Sequence, residues 1–283
     1  MLRSFVPVLK KLKFRGTGRA LNKLGFASKS LQNYPFHIFG REISIDLRDK
    51  ASVGFFLYET IPHEHLNIHF LELLFSLNKN LVFYDIGANV GFYTLYFSQP
   101  QFQLKKIFSF EPNPKLSRNL VAATKESNNI VVLPIGLGEK DDQMSLRMDE
   151  GLSDTATFRK KSIKEGGVFE NIPIRSIDSL LNAGEITGPS LIKMDVEGFE
   201  FYVLKGFSRI NEFKPLILME WIDEFMSSIN IKFEDLKNLL GKDWKFYDLK
   251  LENGGFIYQE IQAAPATRDI LLLHSSCSLK LPS

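Results

Sequence analysis

The chain has 283 residues, 44% hydrophobic and 24% charged, with a formal net charge of +2 at pH 7. This composition, with 25 phenylalanines, excludes a disordered chain and implies a dense aromatic core, most simply that of one large domain. No stretch has the uncharged length of a membrane span, and the single cysteine, Cys277, excludes an internal disulfide and fits a reducing, cytoplasmic compartment.

The charge is uneven. Met1 to Arg41 hold nine basic residues and no acid, so the rest of the chain is net acidic. Residues 1–33 read as a basic N-terminal arm. Within it Leu2, Phe5, Val6, Leu9 and Leu12 recur at helical spacing among lysines, the pattern of an interfacial helix. One expectation is therefore peripheral contact with an anionic inner membrane surface. The alternatives are a solvated extension whose apolar residues pack on the domain, and an organelle transit peptide. Without aromatics interleaved in a groove-forming fold, the basic residues point away from nucleic acid.

Residues 34–283 are expected to form one domain, with an N-terminal cap over 34–80 and a catalytic core over 81–274. Tyr34 to Leu47 alternates as a hairpin about Phe39-Gly40-Arg41. Phe55 to Leu77 has helical periodicity and carries His63, Glu64, His65 and His69. His65 and His69 share a face, a spacing that metal ligands use. The glutamate precedes that pair, unlike the zincin order, so a structural or substrate-facing role is expected and no metal site.

Leu81 to Phe97 (LVFYDIGANVGFYTLYF) reads as a buried strand, a glycine turn and the start of a helix. Gly87 and Gly91 lack a Cβ, so a ligand is expected to lie against the turn, facing the first amides of the helix. Lys106 to Phe110, Ile130 to Leu133, Ser190 to Val196 and Pro215 to Trp221 continue as buried strands. Lys115 to Lys125 and Phe199 to Phe207 are helices between them. This alternation predicts an open, mostly parallel sheet. Gln143 to Met148 and Ile172 to Ser176 are smaller strands flanking a polar loop, Glu150 to Gly167, expected to act as a lid or substrate loop. After a helix over Phe233 to Leu240, a hairpin about Glu252-Asn253-Gly254-Gly255 and a last strand, Asp269 to His274, close the sheet in antiparallel fashion.

The turn departs from the G-x-G-x-x-G of a dinucleotide site, because Asp85 precedes the first glycine. An acid there repels a pyrophosphate but accepts a hydrogen bond from an amino-acid ammonium group. Glu111, ending the next strand, is placed to accept ribose hydroxyls. Together they favour a ligand with a ribose and a cationic head, and disfavour an NAD-type dehydrogenase.

Asp85-Ile86-Gly87-Ala88-Asn89-Val90-Gly91, Phe110-Glu111-Pro112-Asn113-Pro114, Arg175-Ser176-Ile177-Asp178-Ser179-Leu180 and Ile192-Lys193-Met194-Asp195-Val196-Glu197-Gly198-Phe199-Glu200 resemble the FkbM-type methyltransferases, over roughly Phe55 to Leu273. The resemblance implies a class I methyltransferase, a Rossmann-like α/β open sheet using S-adenosylmethionine, and O-methylation of hydroxyls on sugars, glycolipids or natural products. By it, the turn with Asp85, Gly87, Ala88, Asn89 and Gly91 holds the methionine portion. Glu111, with Asn113 beside it, holds the ribose, and Pro134 to Gly136, centred on Ile135, edges the adenine.

Methyl transfer to an alcohol needs an oriented nucleophile and a proton acceptor, beyond the carboxyl ends of the strands. Asp195 and Glu197 stand there and face one side if the extended path persists through Val196, which makes them the catalytic candidates. The alternative has Asp195 orienting the cofactor and Glu197 capping the next helix or pairing with Lys193. Glu220 and Trp221 could line the acceptor site, and Asp154 to Thr157 could touch the substrate. A catalytically silent binding or scaffold protein and an N-methyltransferase stay open beside the O-methyltransferase.

Overall fold

A computed structural model describes residues 2–12, 16–61, 64–149, 152–157, 168–263, 265 and 267–283. The arm forms two helices, α1 (Leu2–Leu12) and α2 (Thr17–Ala27), and the hairpin β1 (Tyr34–Ile38) and β2 (Arg41–Ile45) follows. Phe39 and Gly40 make its two-residue turn at φ +50° and +74°, left-handed values that suit the twist of paired strands.

The single helix expected over Phe55 to Leu77 is two, α3 (Lys50–Tyr58) and α4 (His65–Leu77). Glu59 leaves α3 at φ +56°, and the sequence supplies Pro62 in the break, a residue disfavoured inside helices. His63 lies outside the described residues.

The strand and helix alternation then runs through β3 (Val82–Ile86), α5 (Phe92–Phe97), β4 (Lys106–Phe110), α6 (Pro114–Thr124) and β5 (Ile130–Leu133). An excursion follows. Strands β6 (Gly136–Leu137), β7 (Asp142–Asp149), β8 (Leu152–Thr157) and β9 (Val168–Arg175) form a separate sheet in the order β6-β9-β7-β8. The loop expected over Glu150 to Gly167 is thus partly a strand, and positions 150–151 and 158–167 lie outside the described residues. The chain returns through α7 (Ile177–Asn182), β10 (Leu191–Met194), α8 (Glu200–Lys205), α9 (Ile210–Phe213), β11 (Leu216–Ile222), α10 (Asp223–Ser228) and α11 (Phe233–Leu240). It ends in β12 (Trp244–Glu252), β13 (Gly255–Glu260) and β14 (Thr267–His274).

The main sheet has eight strands in the order β13-β12-β14-β11-β10-β3-β4-β5. From β11 to β5 the pairs are parallel, while β14 and the β12–β13 hairpin close the other side antiparallel, as the sequence implies. No helix among the described residues is long and apolar enough to cross a membrane.

Side-chain parity sorts the sheet into two apolar layers. Phe83, Leu191, Leu216, Leu218, Leu271 and Leu273 face a cluster shared with α3, α4, α5 and the N-terminal helices. Tyr84, Ile192, Ile217, Met219, Trp221 and Leu272 face the opposite cluster with α7, α8 and α11. Phe75, Phe97 and Phe102 realise the aromatic interior, with Phe97 at 4.9 Å from each of the other two rings. Burying each such side chain contributes about 1.5–3 kcal/mol.

On the first face the apolar alternation stops at one end of the sheet. Asp85 follows Phe83, Lys193 follows Leu191, Glu220 follows Leu218, and on antiparallel β14 Asp269 precedes Leu271. The register sets Lys193 opposite Asp85 and Glu220 opposite Asp269. Four adjacent strands therefore replace hydrocarbon with charge at one spot.

Candidate active site

That spot adjoins the glycine turn after β3. Gly87 has φ +82°, and a Cβ on it would overlap the carbonyl oxygen of Asp195, whose amide donates to Ile86 O at 3.0 Å. The missing Cβ at Gly87 thus makes room for the protein's own β10 loop, where a ligand was expected to approach. Gly91, at φ +85°, starts α5, and a Cβ there would press on Leu120.

Asp85 is buried and accepts from the Thr94 amide at 3.0 Å and from the Thr94 hydroxyl, so it anchors the first turns of α5. Burial pushes its carboxyl up to about 6. Glu111, also buried, accepts from the Asn89 amide at 2.7 Å and the Asn113 amide at 2.8 Å, and burial pushes it up to about 7. It therefore ties the glycine turn to the turn after β4. Asn113 accepts from the Lys115 amide at 3.0 Å and caps α6.

These elements wall a cavity of about 650 Å³ beyond the carboxyl ends of the parallel strands. Asp85, Gly87, Ala88, Asn89, Glu111, Ile135, Asp195 and Glu197 all line it. Gly91 and Asn113 do not line it. The extended path imagined through Val196 is absent: β10 ends at Met194, and Glu197 sits at φ +55° in a left-handed turn. The cap of that turn is Glu200, whose Oε1 accepts from the amides of Val196 at 3.0 Å and Gly198 at 3.2 Å.

The cavity's electrostatic centre is Lys193, which is 2% exposed. Its Nζ stands 3.4 Å from Asp269, 3.6 Å from Glu64 and 3.9 Å from Asp195, and 5.6 Å from the centre of the Tyr93 ring. These negative partners outweigh the burial that would discharge it, and hold its pKa well above the ordinary lysine value. Tyr93 donates its hydroxyl to Glu64, and Asn67 donates to Asp269 at 2.6 Å. Glu220 also lines the cavity; burial first, then the charges of Asp195 and Asp269, push it up to about 8. Trp221 points to the opposite face and is core.

Tyr93 and Asp269 are members of this cluster that motif reading missed, and Glu64, read only beside the histidines, joins them. The signal was the parity break at Asp85, Lys193, Glu220 and Asp269, which becomes readable once the strand order is known. His69 turns elsewhere, 3.6 Å from Glu72 and against the Phe256 ring. Among the described residues no three His, Cys, Asp or Glu side chains group as metal ligands.

The open sheet with this cavity at its strand ends is that of a class I methyltransferase. The family described as the methyltransferase FkbM domain matches residues 85–258, and the chain belongs to that family. It is 28% identical over 149 residues to the hexuronic acid methyltransferase AglP of Haloferax volcanii, covering 52% of this chain and 59% of that protein. Among solved structures it resembles the methyltransferase FkbM of Methylobacillus flagellatus KT, with a TM-score of 0.47, 18% identity, and coverage of 80% of this chain and 53% of that one. A human methyltransferase 10 domain containing protein aligns with a TM-score of 0.45 and 11% identity over 92% of this chain and 97% of that one. The chain thus spans between half and two thirds of the length of its curated relative.

Proposed function

We propose that the protein transfers a methyl group from S-adenosylmethionine to a hydroxyl oxygen of a sugar or sugar-bearing acceptor. The observation that carries this reading is one cavity lined both by Asn89 and Glu111 and by Lys193 with Glu64, Asp195 and Glu220. The family and the hexuronic acid relative support it.

The fit to the methyl donor rests on Asn89. Among the described residues its Oδ1 is buried with no hydrogen-bond partner, an acceptor that costs about 1–3 kcal/mol if left unmet. A ribose hydroxyl or an ammonium group satisfies it. Glu111, bonded to the amide of the same residue, keeps lone pairs beyond its two backbone bonds, and Ile135 offers an apolar edge for an aromatic base.

Bound there, S-adenosylmethionine supplies an electrophilic methyl carbon. The protein's task is then to orient an oxygen and take its proton. Asp195 is placed to accept from a neighbouring hydroxyl of the sugar and so orient it, and Lys193 holds the surrounding carboxylates in position. Glu220, whose pKa near 8 suits proton transfer close to neutral pH, receives the proton as the acceptor's O–H bond breaks. Lys50, on the α3 wall of the cavity, offers a cation to an acidic sugar.

The test is incubation with S-adenosylmethionine carrying an isotopically labelled methyl group and a panel of hexoses and hexuronates, free and glycosidically linked. Label on a saccharide hydroxyl, located by mass spectrometry, is the expected result. Cofactor binding with label appearing only on amines, or on no saccharide in the panel, contradicts the proposed acceptor.

A further inference from the structure

The N-terminal helices bury less apolar surface than their sequence provides. In α1, Val6 is fully buried and Leu9 half-buried against the domain, while Phe5, Val8 and Leu12 stand 54%, 51% and 62% exposed. Residues 5, 8 and 12 recur at the 3-and-4 spacing that aligns side chains on one helix face. The apolar arc of α1 is thus wider than the strip the domain covers, and its outer part forms an aligned stripe in water. On α2, Arg19, Lys23 and Phe26 share a face by the same spacing; all three are exposed, Phe26 at 59%. A scattered apolar residue on a surface needs no explanation, but an aligned stripe on a helix that is already docked does.

The helix is held firmly to the domain. Arg3 donates to Ser30 O at 2.8 Å and Asn33 O at 3.2 Å. Lys10 reaches Glu59 at 2.7 Å and lies over the rings of Phe36 and Phe56 at 4.5 and 4.6 Å. Arg3 thus ties α1 to the end of the arm and Lys10 ties it to the domain, while Lys11, Arg19, Lys23 and Lys29 face solvent in a stretch with no acid. Glu59 follows directly on α3, whose Lys50, Gly54 and Tyr58 wall the cavity.

We propose that the exposed faces of α1 and α2 form a docking surface for an anionic lipid bilayer. The charge decides among occupants. A second copy would bring the same uncompensated cations against these, and a neutral apolar partner would leave the lysines and arginines unused. An anionic lipid headgroup layer meets the cations, while Phe5, Val8, Leu12 and Phe26 enter the acyl boundary. Docking through α1 and α2 holds α3, and with it one wall of the cavity, at a fixed distance from the membrane. This inference is independent of the methyl-transfer reading.

The experiment is co-sedimentation of the full chain with vesicles of pure phosphatidylcholine and of phosphatidylcholine with phosphatidylglycerol. The expected result is binding to the anionic vesicles alone, weakening as salt rises. Phe5→Ser with Leu12→Ser should reduce it about tenfold or more, and Lys11→Glu with Lys23→Glu should abolish it. Both pairs replace exposed side chains, so thermal midpoints should match the parent, and a matched midpoint separates lost docking from lost folding. Equal binding by the parent and both double variants, absence of binding to anionic vesicles, or a concentration-dependent dimer that only the parent forms overturns the proposal. Binding to duplex DNA or RNA in place of vesicles, with the same dependence on Lys11 and Lys23, also overturns it.

Discussion

Lys193 is the residue on which the site's electrostatics turn. It neutralises an acid cluster built from Glu64 on the chain before β3, Asp195 after β10 and Asp269 on β14, so removing it leaves three half-buried carboxylates facing one another. Lys193→Met is expected to destabilise the protein by about 3 kcal/mol. Chemical denaturation of parent and variant measures the difference. For Glu220, whose pKa is pushed up to about 8, activity should rise with pH as the carboxyl ionises. Glu220→Gln should lose that limb of the pH–rate profile and roughly 100-fold in turnover, with the affinity for S-adenosylhomocysteine unchanged. A retained limb would move the proton acceptor to another carboxylate, with Asp195→Asn as the next variant to profile.

Gly87 and Asp195 show how two elements depend on each other at the scale of turns and strands. The β10 loop carries Asp195 into the cavity only because no Cβ at Gly87 occupies the place of its carbonyl oxygen. Gly87→Ala is expected to cost more than about 2 kcal/mol, from the clash and the positive φ, and to lower the midpoint in urea; an unchanged midpoint would show that the loop has room to move. Much of this architecture was legible in the sequence. The buried strands, the hairpin at Phe39-Gly40, the turn at Asn253-Gly254 and the antiparallel last strand each have local causes in side-chain period and turn chemistry. The split between α3 and α4 was missed because the apolar period runs across Pro62. In the second sheet, Gln143 to Met148 and Ile172 to Ser176 were legible as strands, whereas β8 (Leu152–Thr157) was missed because its polar residues resemble a loop. The acid cluster was missed for a different reason: Glu64, Lys193 and Asp269 are brought together by strand order and helix docking, which no local window contains. In the same way, Asn113 looks like a ligand residue in its motif yet serves as the cap of α6.

The molecule as a whole concentrates buried acids around one cavity, and its stability should record them. Asp85, Glu111 and Glu200 have folded pKa values of about 6, 7 and 7, against an ordinary carboxyl value of about 4. The folded state therefore holds protons that the unfolded chain releases. The stability this contributes is full below about pH 4 and is lost as pH rises through 6 to 7. The ligand-free protein is thus expected to melt at a lower temperature at pH 8 than at pH 5. Among the described residues Glu200 has one buried oxygen, Oε2, without a partner, while Oε1 holds the turn. Glu200→Gln keeps the accepting oxygen and removes the charge, so it should flatten the slope and raise the pH 8 midpoint by roughly 3 °C. A midpoint that rises from pH 5 to 8 in both proteins would contradict the burial argument. On the proposed reading, the end of the cavity at Asn89 and Glu111 receives the methyl donor. Calorimetric titration of the full chain with S-adenosylhomocysteine checks this. Saturable binding at one site per chain is expected, weakened about tenfold or more by Glu111→Ala, a loss of at least ~1.4 kcal/mol. A folded parent protein that gives no binding heat, or a Glu111→Ala variant that binds as tightly as the parent, would contradict it.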